Sequence, residues 1–276
     1  MKPFNTIAIV GTGLIGGSLA LDIKKHKLAQ TILGLSRSAH TIATAKRKGI
    51  IDKGSQDITL LKDADFIILA TPVKTILALA PAIAREIKPT CIVIDVGSTK
   101  EKIVVRLSKL FPRFVGCHPL AGSEKRGIEN ASGNLFMNSV CIITPLTSTD
   151  KKALGRVTAF WRTLGARIFF ISPQKHDLAL SFISHFPHII AFALINAVPS
   201  QYLPIAPNSL RDTTRVASSE PELWADIFLT NRVNLEKTIK IFQENLALFQ
   251  SAIRRNDKRK LIALLEKAKN KRGILK

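Results

Sequence analysis

Residues 6–23 read TIAIVGTGLIGGSLALDI, and the spacing inside this stretch decides the fold. An apolar β-type run, Thr6 to Val10, leads straight into Gly11, Gly13 and Gly16, and a helical period of apolar residues follows. The pattern G-x-G-x-x-G says little alone, but between a strand and a helix it marks the turn that cradles a dinucleotide pyrophosphate. Gly11 permits the tight turn, Gly13 lets backbone approach phosphate, and Gly16 lets helix and strand pack closely, with the phosphates at the helix N-terminus. Gly11, Thr12, Gly13, Leu14, Ile15 and Gly16 are therefore the expected cofactor contacts.

Working outward, strand-like runs recur at 31–35, 66–70, 91–96, 113–117, 140–144 and 166–171. Several are continuously apolar, as strands buried on both faces are. Stretches of helical period at 14–27, 39–48, 72–86 and 150–164 lie between them. That alternation predicts an α/β fold with a Rossmann-type doubly wound sheet over residues 1–171. After Ser172 the texture is helical only, which predicts an all-α second domain over 172–276. Ser172-Pro173 reads as an N-cap and first-turn proline for an apolar helix running to about Val198.

A further helix is expected to open at SEPE, where Ser219 and Glu222 have capping-box spacing. From Trp224 through Phe228, Asn231, Leu235, Ile239, Phe242, Leu246 and Phe249 to Ile253, residues recur at alternating steps of four and three. Such a heptad seam needs another long helix to pack on, in this chain or in a second copy, and a homodimer is expected.

Bulk properties bound the function. The chain has 276 residues, 46% of them hydrophobic, enough for one large core or two linked ones. The apolar runs of the strands stop far short of the roughly 20 residues of a membrane span. The first strand begins at once after MKPFN, leaving no room for a leader, so a cytoplasmic protein is expected. Cys91, Cys117 and Cys141 lie far apart, which favours buried reduced thiols over disulfides or zinc, and no metal site is expected. The net charge of +21 is spread along the chain, with a concentration after Arg254. That basic tail keeps Leu261, Ile262, Leu264 and Leu265, so it reads as an amphipathic helix with a solvated face rather than a nucleic-acid surface.

The end of the second strand selects the dinucleotide. It carries Ser36, Arg37 and Ser38 where a carboxylate would hold a ribose 2′-hydroxyl, and a cation with two hydroxyls suits a 2′-phosphate. NADP is expected over NAD, the alternative being an Arg37 that only stacks on adenine. Other strand ends border the ligand as well: Thr71 and Pro72, Gly97 and Ser98, and His118 within CHP. By topology His118 lies beside the nicotinamide, where a group able to accept a hydroxyl proton near neutrality is needed for carbinol oxidation.

Together, GTGLIGGS, DVGSTK, HPLAGSEKRGIENA, HDLALSFISHFPHIIAFAL and RDTTRVASSEPELW resemble the prephenate/arogenate dehydrogenase family of tyrosine biosynthesis. The resemblance implies NAD(P)-dependent oxidative decarboxylation of a small anionic cyclohexadienol. His118 matches that family's catalytic histidine and Ser98 the serine that orients it. Arg215 matches the arginine holding a substrate carboxylate, a task suited to a bidentate guanidinium, and His185 a histidine of the pocket. Glu124, Arg211 and Asp212 match a charged network at the pocket mouth, and Trp224 a tryptophan near it.

Prephenate and arogenate stay open at this level. The apolar helix offers Asn196 but no acid past Asp177 for an ammonium, while the SRS pattern favours the NADP habit of arogenate-specific members. His185 and His188 are three apart with no carboxylate cluster, so they read as pocket or core residues, and His176-Asp177 as a capping or supporting pair.

Overall fold

The structure is a computed structural model and describes residues 2–121 and 127–275. Its first part alternates strands and helices: β1 (Phe4–Val10), α1 (Leu14–Lys25), β2 (Ala29–Leu35), α2 (Ala39–Arg47), β3 (Lys53–Ser55), β4 (Phe66–Leu69), α3 (Val73–Glu86), β5 (Ile92–Asp95), α4 (Glu101–Leu110), β6 (Phe114–Pro119), β7 (Val140–Thr144), α5 (Lys151–Thr163) and β8 (Arg167–Phe170). They form one eight-stranded sheet in the order β3-β2-β1-β4-β5-β6-β7-β8. All neighbours are parallel except β6 and β7.

The continuous apolar runs serve a sheet covered on both faces. In β1, Ile7 and Ile9 enter one core with Phe4, Phe66 and Phe160, while Ala8 and Val10 enter the other with Ile67, Leu69 and Ile76. Successive side chains alternate between faces, so a strand with two buried faces has no polar position to spare. The chain leaves β1 toward β2 and β4 toward β5, in opposite directions along the sheet. That reversal opens a crevice beyond the carboxyl ends of β1 and β4, where the glycine turn sits.

Beyond β8 the chain is helical: α6 (Pro173–Leu180), a π-helical turn at Ser181–His185, α7 (Phe186–Ala197), α8 (Asn208–Thr214), a 3-10 turn at Arg215–Ser218, α9 (Pro221–Thr230), α10 (Arg232–Arg254) and α11 (Lys258–Arg272). Ser172 caps α6 by accepting from Lys175 N, with Pro173 in the first turn.

The structure corrects four local readings. The sequence reading contains neither strand β3 nor helix α4: the three residues of β3 carry no period, whereas α4 buries Ile103, Val104 and Leu107 on one face. The SEPE capping box does not form. Glu220 occupies the N-cap with no side-chain cap bond, and Ser219 closes the preceding turn through its N–H to Val216 O. The heptad seam runs through two helices rather than one, broken at Asn231, whose side chain is buried and used elsewhere. Finally, α6, the π turn and α7 join into a stretch of 25 residues, Pro173–Ala197, that contains an 18-residue window of mean hydropathy 1.9, long and apolar enough by length and composition to cross a membrane. Uninterrupted apolar runs understate it, because a helix keeps its length through Pro187 and through scattered polar residues. Of those, His176, Asp177, Ser181 and His185 are buried within the chain, whereas Gln174, Lys175 and Asn196 are exposed. Its other face leaves Phe182 and Ile183 exposed, and the seam of α10 leaves Leu246 and Ile253 exposed.

Candidate active site

A cleft of about 810 Å³ lies where the sheet's carboxyl edge meets α9. Gly13, Leu14, Ile15, Arg37, Thr71, Pro72, Gly97 and Ser98 line it from the sheet, and Glu222, Leu223, Trp224 and Asp226 from the helices. The glycine turn has the geometry its spacing predicts. Gly11 sits at φ +98° against Ala70 O, where a side chain would be strained and would collide. A Cβ on Gly16 would stand 2.0 Å from Gly11 O, whereas one on Gly13 would meet nothing within 4 Å. The close approach at Gly13 is thus reserved for something other than protein. Thr71 Oγ1 is buried with no hydrogen-bond partner among the described residues, and the head of α1 opens on the cleft. Glycine, threonine hydroxyl and helix N-terminus together fit a dinucleotide phosphate group.

The remaining cofactor residues divide. Thr12 and Gly16 are buried beneath the turn. Ser38 caps α2 by accepting from Thr41 N, and Ser36 Oγ accepts from Ser38 N at 3.3 Å, so the two hydroxyls shape the loop that presents Arg37.

His118 closes β6 and is only 9% exposed. Its Nδ1 lies 2.9 Å from His176 Nε2, and His176 Nδ1 lies 2.7 Å from Asp177 Oδ1. The same carboxylate accepts from Lys100 N at 2.7 Å and Glu101 N at 2.9 Å, the first amides of α4. These partners assign the protons. His176 donates from Nδ1 to the carboxylate, so its Nε2 carries a lone pair and accepts from His118 Nδ1–H. Among the described residues, nothing bonds to His118 Nε2. Burial, then the charges of His176, Lys100 and His185, hold the His118 pKa well below the usual imidazole range, and the ring is a neutral acceptor at neutral pH. Ser98 lines the cleft, but its hydroxyl makes no hydrogen bond to His118; His176 supplies that partner.

Lys100 forms a fully buried ion pair with Asp95, which also accepts from Gly97 N at 2.9 Å and Cys117 N at 3.3 Å. Asp95 thereby ties the ends of β5 and β6, and so Ser98 and His118, to one another. Burial raises its carboxyl pKa even against Lys100.

His185 is 1% exposed; its Nδ1 accepts from Asn231 Nδ2 at 2.9 Å, and that amide also donates to Asp177 O at 2.7 Å. Nε2 therefore carries the proton and lies against the Ser98 backbone, short of hydrogen-bond geometry. Burial takes the His185 pKa from 6.5 to about 4. His188 stacks on Trp224 with ring centroids 3.5 Å apart, and the charge of Arg215 reaches it and lowers its pKa further than burial alone.

Arg215, in the 3-10 turn behind α8, is thus near His188, but like Arg211 and Asp212 on α8 it is exposed and does not line the cleft; His118 and His185 are buried and do not line it either. Glu124 lies outside the described residues. Sequence reasoning missed the buried partners Asp95, Lys100 and Asn231, and the stacking role of His188. The adjacency of His176 and Asp177 just behind a capped helix start was the one available signal for the chain behind His118.

Comparisons with known proteins agree on one assignment. The family model for the nucleotide-binding domain of prephenate dehydrogenase matches residues 19–170, and that for its dimerization domain matches 172–267. Prephenate dehydrogenase of Bacillus subtilis is 35% identical over 98% of this chain and 76% of its own length. The crystal structure of prephenate dehydrogenase from Aquifex aeolicus, in complex with hydroxyphenyl propionate and NAD+, superposes with a TM-score of 0.93 at 35% identity, covering 99% of this chain and 98% of that one. Arogenate dehydrogenase of Synechocystis has a TM-score of 0.84 at 32% identity, covering 97% and 99%.

Proposed function

The chain belongs to the prephenate dehydrogenase family, and from that premise we propose that it oxidatively decarboxylates prephenate to 4-hydroxyphenylpyruvate, an NAD(P)-dependent step of tyrosine biosynthesis. The single observation that carries the reading is the Nε2 of His118, unbonded among the described residues and held at the strand edge that the dinucleotide turn also faces. When bound, the dinucleotide supplies the acceptor for the hydride at C4 of the ring. His118 Nε2 takes the proton of the 4-hydroxyl, which leaves a ring ketone opposite the ring carboxylate. The C1–carboxylate bond then breaks, CO2 leaves, and its electron pair flows through the ring to the oxygen. Aromatisation drives this step. The oxygen recovers the proton from His118, so the base ends the cycle as it began.

Arg215 holds a substrate carboxylate and His185 borders the ring pocket, with Trp224 as a wall. Glu124, Arg211 and Asp212 remain candidates for the mouth of the pocket. Ser98, Thr71, Pro72 and Gly97 face the nicotinamide end. Residues 1–171 serve as the dinucleotide-binding unit and 172–276 as the substrate and dimerisation unit, in a cytoplasmic homodimer that covers the exposed apolar face of α6–α7 and the seam of α10.

NADP is favoured over NAD, supported by Arg37 on the cleft wall and by the absence of a carboxylate at the end of β2. Arogenate is the second reading of the substrate, supported by the similarity to the Synechocystis enzyme. A four-way assay of prephenate or arogenate with NAD+ or NADP+, read as absorbance of reduced cofactor, tests all of this. Turnover of prephenate with a lower KM for NADP+ is expected; no turnover in any combination by folded, nucleotide-binding protein would refute the assignment.

A further inference from the structure

We propose that His176 and Asp177 are positioning residues for the reaction: neither touches substrate, and together they hold His118 in the one tautomer that can act as a base. The inference rests on the reading of His118 as that base. Three observations carry it.

The first is continuity. From His118 Nδ1 to His176 Nε2 is 2.9 Å, and from His176 Nδ1 to Asp177 Oδ1 is 2.7 Å, so two imidazoles and a carboxylate form an unbroken line. The second is enclosure. His176 is 0% and Asp177 2% exposed, neither lines the cleft, and the exposure of the line is confined to His118, at 9%. A proton that must return to the phenol oxygen is best stored where it cannot leak, and a sealed line meets that need. The third is anchoring. Asp177 accepts from Lys100 N and Glu101 N, so its carboxylate is held by the head of α4 in the first part of the chain while its own backbone belongs to α6 in the second. Docking of the two parts is therefore what completes the base.

Each proton position follows from its neighbour. The carboxylate can only accept, so it fixes His176 with its proton on Nδ1; His176 Nε2 can then only accept, which fixes His118 with its proton on Nδ1. When His118 Nε2 takes the substrate proton, the positive charge is stabilised through the same two bonds. The groups facing His118 are His176 and Asp177 from α6, Lys100 with its partner Asp95 from the β5–α4 corner, and His185 from the π turn.

The test compares His176→Leu, which removes the acceptor, with His176→Gln, whose amide oxygen can stand where Nε2 stood, alongside His118→Asn. The substrate is whichever of prephenate and arogenate the wild-type enzyme turns over. His176→Leu is expected to lose kcat by roughly 100-fold with KM and cofactor Kd within about threefold, and to shift the acid limb of the kcat/KM profile, because His118 has lost both the acceptor of its Nδ1 proton and the neighbouring ionisable group that acts on its pKa. His176→Gln is expected to recover most of kcat. Two results overturn the proposal: a folded His176→Leu with wild-type kcat and acid limb, or Leu and Gln variants equally impaired with the acid limb unmoved, which marks a purely structural site. An active His118→Asn would instead overturn the reading of the base itself.

Discussion

Lowering the pH should destabilise this protein through His185. The unfolded chain binds a proton at this imidazole with a pKa of 6.5, whereas the native site, 1% exposed and already using Nδ1 to accept from Asn231, does so only at about 4. Between those values the unfolded state holds more protons than the native one, so stability rises with pH; it is fully present above 6.5 and lost as pH falls toward 4. Integrating the two curves gives a loss of about 2 kcal/mol between pH 7.5 and 5.0, growing to about 3 kcal/mol below pH 4. The assay is urea unfolding at fixed protomer concentration, at pH 7.5 and 5.0, for wild type and His185→Asn, whose side-chain oxygen can still accept from Asn231. The variant should lose about 2 kcal/mol less than wild type over this interval. His118, His176 and His188 are lowered as well and contribute acid sensitivity to both proteins, His118 somewhat less in the variant because His185 is one of the groups that lowers it. Equal losses in the two would refute the reasoning, and so would unfolding of the wild type at pH 5.0 without proton uptake in calorimetry across buffers of different ionisation enthalpy.

Three other outcomes follow from the same geometry. His118→Asn should lower kcat by about 100-fold or more with cofactor Kd unchanged, and Arg215→Ala should chiefly raise KM for the organic substrate; steady-state kinetics showing the opposite split would mean the roles are exchanged. Arg37→Ala should raise KM for NADP+ about tenfold or more while leaving KM for NAD+ within about twofold, since only one of them offers a phosphate to a guanidinium. Leu246→Glu, on the exposed part of the α10 seam, should convert a dimer to monomers in sedimentation velocity, because a charge cannot be buried unpaired in an apolar interface; an unchanged dimer would place the interface elsewhere.

What the sequence alone determined is what depends on near neighbours along the chain. The turn at Gly11, Gly13 and Gly16 is legible because a positive φ, a close helix and an open approach are each satisfied by a missing Cβ within six residues. The apolar strands are legible because burial on two faces removes every polar position, and His118 because a strand's carboxyl end faces the crevice in any sheet of this topology. Single-chain periodicity also reveals the heptad seam, although not its break: Asn231 looks like a tolerated polar residue in a stripe until the fold shows its amide bonded to Asp177 O and His185. Only the tertiary structure decided what His118 is bonded to. His176 lies 58 residues away in sequence, Asp177 is held by amides 76 and 77 residues away, and no local pattern records such distances. The physical reason is that a tautomer is set by hydrogen bonds, and hydrogen bonds between distant segments exist only once hydrophobic burial has brought α4, α6 and β6 to a common point.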